Sequence, residues 1–223
     1  MSDLPQVPGG VRAGQVSVLL LGRVIIGDIA VTLTDLAVRG VLAAEPAGDD
    51  DWLLTVAGQG AVGPPVLDYE RRLLEGLKRT GAPVRLSVLV PGFGNAMDKA
   101  RSGIVGAAVR DGWIRRFHHD QRTSKGEELA GQVRAFQRNL RRAVPELAQD
   151  ILGGPLLPYA MRSGLATDEG IALVRFAHAA VRILVTEPGW MPSQPTRKKY
   201  DEIHTSGGGY QGGAYDGGAY YGL

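Results

Sequence analysis

The chain has 223 residues, 44% of them hydrophobic and 22% charged, with 25 Lys and Arg against 23 Asp and Glu. That composition supports a buried core in one large or two small domains, excludes a wholly disordered chain, and does not demand a polyanionic partner. The absence of cysteine excludes disulfides, thiolate zinc sites and cysteine nucleophiles.

Residues 1–10 are Pro- and Gly-rich and read as a flexible leader. Arg12–Leu21 is expected to be a short helix ending at Gly22. Asp28 can cap a second helix, with Ile29, Leu33, Leu36 and Ala37 at helical spacing and a stop at Gly40. Val41–Glu45 and Trp52–Val56, joined through Gly48–Asp51, read as a β-hairpin. Helix, helix, hairpin is the order of a winged helix. The loop 58–65, with three Gly and two Pro, is the expected linker.

After it comes a similar series. Asp68–Arg79 is amphipathic, Val84–Leu86 is strand-like, and Ser87 opens a brief helix that Pro91 is expected to end. Asn95–Arg110 is a longer helix, and Trp113–Phe117 alternates apolar and basic residues like a half-exposed strand. Ser124–Glu127 fits a capping box for a helix reaching about Ala143. A last helix is expected over Asp168–Thr186. The expected fold is therefore mainly α (α+β). It has a leader (1–10), two tandem winged-helix-like modules (11–57 and 66–122) around the linker, C-terminal helices (123–187), and a linker with a disordered Gly/Tyr-rich tail (188–223). No signal peptide is visible, and the apolar stretches 16–26 and 171–185 are too short or too interrupted by charge to span a bilayer. A soluble, cytoplasmic protein is expected.

Three stretches carry a family likeness: Asp28–Gly40 with its Leu36-Ala37-Val38-Arg39-Gly40 end, Asp68-Tyr69-Glu70-Arg71-Arg72-Leu73-Leu74, and Leu157-Pro158-Tyr159-Ala160. With the glycine-rich C-terminus they resemble the cytoplasmic part of a bacterial predicted membrane protein family of unknown function, domain of unknown function 2207. The resemblance covers most of residues 16–165 in order and implies tandem winged-helix-like domains. It supplies no catalytic residue. Members usually carry transmembrane helices, from which this sequence departs.

No catalytic residue and no cofactor is expected from the motifs. His118-His119-Asp120 is the one cluster with metal or acid–base potential, without a third ligand at suitable spacing, and a solvated turn is the simpler reading. His178 reads as a packed, hydrogen-bonded histidine. Asp49-Asp50-Asp51 reads as a hairpin turn rather than a cation site, whose ligands would alternate. No nucleophile elbow or phosphate-binding glycine loop is present.

Charge points to binding. Residues 110–142 hold nine Lys and Arg against four Asp and Glu, so Arg115, Arg116, Arg134, Arg138, Arg141 and Arg142 are the expected surface for an anionic partner. If the second module read DNA through its long helix, Asn95, Lys99 and Arg101 would do so, whereas Asp28–Arg39, with one Arg against two Asp, is a poor reader. The tail repeats Gly-Gly-Ala-Tyr and offers Tyr210, Tyr215, Tyr220 and Tyr221 for docking, or for cleavage or modification by a partner enzyme. The expected function is a non-enzymatic adaptor or regulatory protein with a protein partner. A DNA-binding regulator and a tail-substrate protein are the alternatives, and peripheral membrane contact and homo-oligomerisation stay open.

Overall fold

The computed structural model describes residues 4–48, 51–57, 65–81, 83–116, 118, 121–167 and 170–186. Seven helices and a small antiparallel sheet make up the regular structure of these residues, so the chain is mainly helical, α+β. The expected linker and tail, 188–223, lie outside the described residues.

A 3-10 turn at Ala13–Gln15 runs into α1 (Val16–Leu21), which stops at left-handed Gly22. α2 (Gly27–Val38) carries the expected Ile29, Leu33 and Leu36 inward, and every residue from Asp28 through Leu36 is buried. α6 (Leu157–Arg162) and α7 (Ala172–Thr186) both pack against it, which leaves no solvent face. The polar groups caught in this position find partners inside. Thr32 and Thr34 hydroxyls donate to the carbonyls of Asp28 and Ala30, four residues back, at 2.6 and 3.0 Å. Asp28, expected as the cap, instead sits in the first turn two residues after the N-cap Ile26, and its carboxylate accepts from the Ile25 N–H at 2.8 Å. Gly40, at φ +70°, closes the helix while Val41 N–H reaches back to Leu36 C=O at 2.9 Å.

β1 (Leu42–Pro46) and β2 (Trp52–Val56) form the expected hairpin, in register from Leu42 opposite Val56 to Pro46 opposite Trp52. β2 also pairs with β3 (Val84–Arg85), from the far side of the 58–65 loop. Elements on both sides of that loop thus share one sheet and one hydrophobic cluster. Trp52 meets Phe176 of α7 edge-on, with ring centres 5.4 Å apart, which ties the hairpin to the C-terminal helix.

α3 (Asp68–Arg79) packs along α4 (Val90–Arg110). Glycines lie at their closest approach: a β-carbon on Gly76 would strike Ala96 and Phe93, and one on Gly103 would strike Tyr69. Pro91 does not end a helix as expected. It stands in the first turn of α4, where its missing N–H is not needed and its fixed φ suits a helix start. Of the stretch expected as a strand, 113–117, the described residues contribute one isolated bridge, Ile114 opposite Arg122, and Phe117 lies outside them.

α5 (Ser124–Leu152) is capped by Thr123, one residue before the expected box, whose hydroxyl accepts from Gly126 N–H at 3.0 Å. α5 also continues past Pro145. The proline is tolerated as a local distortion, with Leu147 at φ −121°, ψ 25°, because buried Ile151 and Leu152 hold the turns beyond it. Residues 4–10, expected to be a flexible leader, carry a 3-10 turn at Pro8–Gly10 packed on α5, with Val7 against the core.

Gly126 tests how tightly the start of α5 is seated. A β-carbon there would overlap the Trp113 backbone carbonyl, so neither atom has a flexible side chain to move. Gly126→Ala is expected to cost at least about 2 kcal/mol of unfolding free energy in urea, despite alanine's better helix propensity.

Candidate interaction surface

The basic residues singled out from the sequence separate into surface and interior sets. Arg134, Arg138, Arg141 and Arg142 are all exposed on α5. At 3.6 residues per turn they fall within about 100° of one another and span about 12 Å of helix. The opposite face of α5 buries Leu129, Val133, Phe136 and Leu140, which holds the arginine stripe outward. Arg141 Nη2 lies 3.5 Å from the Ser163 carbonyl. Arg134, Arg138 and Arg142 have no ion-pair or hydrogen-bond partner among the described residues.

Arg115 and Arg116 are exposed on the segment between α4 and α5, outside this stripe. Two neighbouring cations have structural roles. Arg122 Nη1 donates to the Leu19 and Leu20 carbonyls at 3.2 and 3.0 Å, capping the end of α1, and its Nε donates to Glu127 at 2.7 Å. Lys125 donates to the Asp111 carbonyl at 2.8 Å.

The three residues considered for DNA reading do not come together. Asn95 and Lys99 are exposed one turn apart on α4, with exposed Asp98 beside them. Arg101 points to another side: it is half-buried, lies 3.7 Å from Asp98, and its Nε is buried without a hydrogen-bond partner. α2 offers no reader, since its first nine residues after Gly27 are buried.

His118 is exposed and His119 lies outside the described residues; among the described residues no group of three or more His, Asp or Glu could hold a metal. His178 stands on the exposed side of α7 with Nε2 2.6 Å from the Ala166 carbonyl. Asp51 accepts from Ser87 through both backbone N–H and hydroxyl, at 3.1 and 2.8 Å, and from the Trp52 N–H at 2.9 Å. Burial pushes the Asp51 carboxyl up, but the Ser87 and Trp52 bonds and Arg85 together outweigh that and hold it below the ordinary carboxylate value. It ties the hairpin turn to the segment after β3. Tyr210, Tyr215, Tyr220 and Tyr221 lie outside the described residues.

The most concentrated charge chemistry is in the interior, in residues the sequence reading had not singled out. Arg39 Nη2 lies 2.9 Å from Asp35 and 2.8 Å from Glu70, with side chains 8%, 9% and 0% exposed. Glu70 also accepts from the Leu67 N–H at 2.9 Å and lies 3.8 Å from Arg12 Nε. Arg12 in turn donates to the Pro65 carbonyl at 3.2 Å. Burial pushes Asp35 and Glu70 above the usual carboxylate range, with Arg39 pulling each back. Tyr159 donates from its hydroxyl to the Val11 carbonyl at 2.6 Å. With Asp35, Arg39 and Arg12 it lines a cavity of about 300 Å³ under residues 5–12.

A second buried set centres on Asp28. It accepts from Ser17 Oγ at 2.6 Å and lies 3.4 Å from Arg162 Nε, which itself donates to Ser17 Oγ at 2.8 Å. Carboxylates inside an otherwise apolar helix were the available signal for both sets, together with Glu70 at the third position of α3, reaching back to its N-terminus.

Asp35 and Arg39, Glu70 and Tyr159 therefore meet from three stretches far apart in the chain. No family model, curated protein or solved structure matches the chain. Among the described residues no helix is long and apolar enough to cross a membrane.

Two outcomes follow from the buried charges. Arg39→Met leaves two buried carboxylates without their shared cation, and a loss of about 3–5 kcal/mol in chemical denaturation is expected. Burial pushes Asp28 up to about 6, against Ser17, Arg162 and the Ile25 N–H. The folded protein then binds this proton more tightly than the unfolded chain does, so the site's contribution to stability rises as pH falls from about 6 towards 4, by about 3 kcal/mol in all. Asp28→Asn removes that dependence. Relative to wild type it is expected to be more favourable at pH 7 than at pH 4.5, and an equal difference at both pH values rejects the assignment.

Proposed function

We propose that this protein is a non-enzymatic adaptor or regulatory module that binds an anionic macromolecular partner on the exposed face of α5. One observation carries the reading: four arginines stand side by side on that face, and three of them have no partner among the described residues. Arginine presents a planar fork of donors suited to carboxylate or phosphate, and it is weakly hydrated, so a partner can displace its water readily.

The tandem winged-helix-like organisation belongs to the same proposal. It is supported by the order α1, α2, β1, β2 before the 58–65 loop and α3, β3, α4 and the Ile114–Arg122 bridge after it. In that scheme the two modules are joined through the β2–β3 pairing, and α5 is the arm they present. DNA reading by α4 has less support, because Arg101 is off the Asn95–Lys99 side and Asp98 stands beside them. A tail acting as substrate would use residues outside the described ones.

The reading is tested by purification from the native host with bound material identified. The wild-type chain is expected to retain a macromolecule whose recovery falls roughly tenfold, about 1.4 kcal/mol of binding, when Arg134, Arg138, Arg141 and Arg142 are all changed to Ala. Equal recovery with an unchanged thermal melt removes the stripe from function.

A further inference from the structure

We infer that the arginine stripe of α5 is a docking site for an acidic polypeptide segment of two to three helical turns, an inference that rests on the anionic-partner reading above. Three features of the surface select this partner among anions. The first is extent. The positive run covers about 12 Å, from Arg134 to Arg142. Glu128 and Glu146, both exposed, flank it near its two ends, while Glu127, in line with it two turns earlier, is engaged by Arg122. A nucleic-acid duplex carries phosphate charge continuously along its length. Laid along α5, it would bring phosphates against these carboxylates at both ends, whereas a short acidic segment ends where the arginines end.

The second feature is what lies beneath. A helix that binds a membrane surface buries an apolar face among the lipids. The apolar face of α5 is already occupied by the protein core, and none of the exposed large hydrophobic residues, Leu4, Leu21, Val88 and Val185, belongs to α5. The stripe therefore offers charge without an insertion surface.

The third is spacing. Arg134, Arg138, Arg141 and Arg142 follow an i, i+4, i+7, i+8 pattern, the pattern of one helix face. Carboxylates at the same spacing on a partner helix lie opposite them. α5 is held rigidly by the Thr123 cap and its buried face, so the arginines are presented in a fixed row, and the entropy lost on binding is confined to their side chains.

The experiment uses the full chain and three probes in parallel at low salt. They are a labelled synthetic helical peptide with Glu at i, i+4, i+7 and i+8, a DNA duplex of arbitrary sequence, and phosphatidylserine-containing vesicles. The peptide is expected to bind, to weaken as salt rises, and to lose at least tenfold in affinity with Arg138→Glu and Arg142→Glu together. A peptide with Lys at the matching two positions is expected to recover affinity for that variant, which a general loss of folding would not permit. Arg138→Gln, with one charge removed from an exposed position, serves as the milder variant and is expected to weaken binding less. Tighter binding of duplex or vesicles than of peptide, abolished by the same substitutions, overturns the acidic-polypeptide assignment while leaving an anionic partner in place. Binding of none of the three overturns both readings. Peptide binding indifferent to the charge reversal overturns the placement on α5.

Discussion

Arg39 is the constraint around which the rest of the structure is organised. One guanidinium, at the end of α2, is shared by Asp35 a turn before it and by Glu70 at the start of α3. Taking three such charges out of water is unfavourable unless all of them are paired. The pairing therefore fixes where α3 begins relative to where α2 ends, across a segment that includes the β1–β2 hairpin. Arg12 adds a second cation at Glu70, and Tyr159 binds the Val11 carbonyl beside it. Through these contacts the N-terminal segment, α2, α3 and α6 converge on one charged centre inside an otherwise apolar body. The same centre gathers residues from stretches as far apart in the chain as Arg12 and Tyr159.

The Asp28 set has a related effect at the other end of α2, joining Ser17 of α1 to Arg162 of α6. α2 is thus a fully enclosed helix with a polar tie near each end. Such ties add less to stability than well-packed hydrophobic groups would, but they discriminate against sliding or rotating the helix, because any shift strands a charge. An enclosed helix held in this way has no face left for a partner. In the proposed function a partner uses the periphery, where α5 presents four exposed arginines on one face.

Much of the local structure was legible in the sequence because it depends on short-range chemistry. Gly22 and Gly40 end helices, the Val41–Val56 hairpin follows from two apolar runs around an Asp-rich turn, and the apolar period of α5 marks its inner face. Pro91 and Pro145 were harder. A proline excludes only a helix interior hydrogen bond, and whether it opens a helix, bends one or stops one depends on what packs around the neighbouring turns. The burial of α2 on all sides was not legible either. Its apolar spacing marks one inner face, and the arrival of α6 and α7, more than a hundred residues later, covers the rest.

The sequence by itself determined the class of protein, mainly helical with a small antiparallel sheet, the β1–β2 hairpin and the ends of α2 and α3 to within a few residues, and the arginine pattern of α5. Those follow from periodicity, caps and turns, which act over a few residues. Tertiary structure alone decided which charges face water. Arg39, Arg12 and Arg162 resemble Arg134 and Arg138 in composition, yet the first three are drawn to buried carboxylates from distant segments and the last two are not. That division depends on contacts between residues as far apart as Ser17 and Arg162, and no local pattern encodes them.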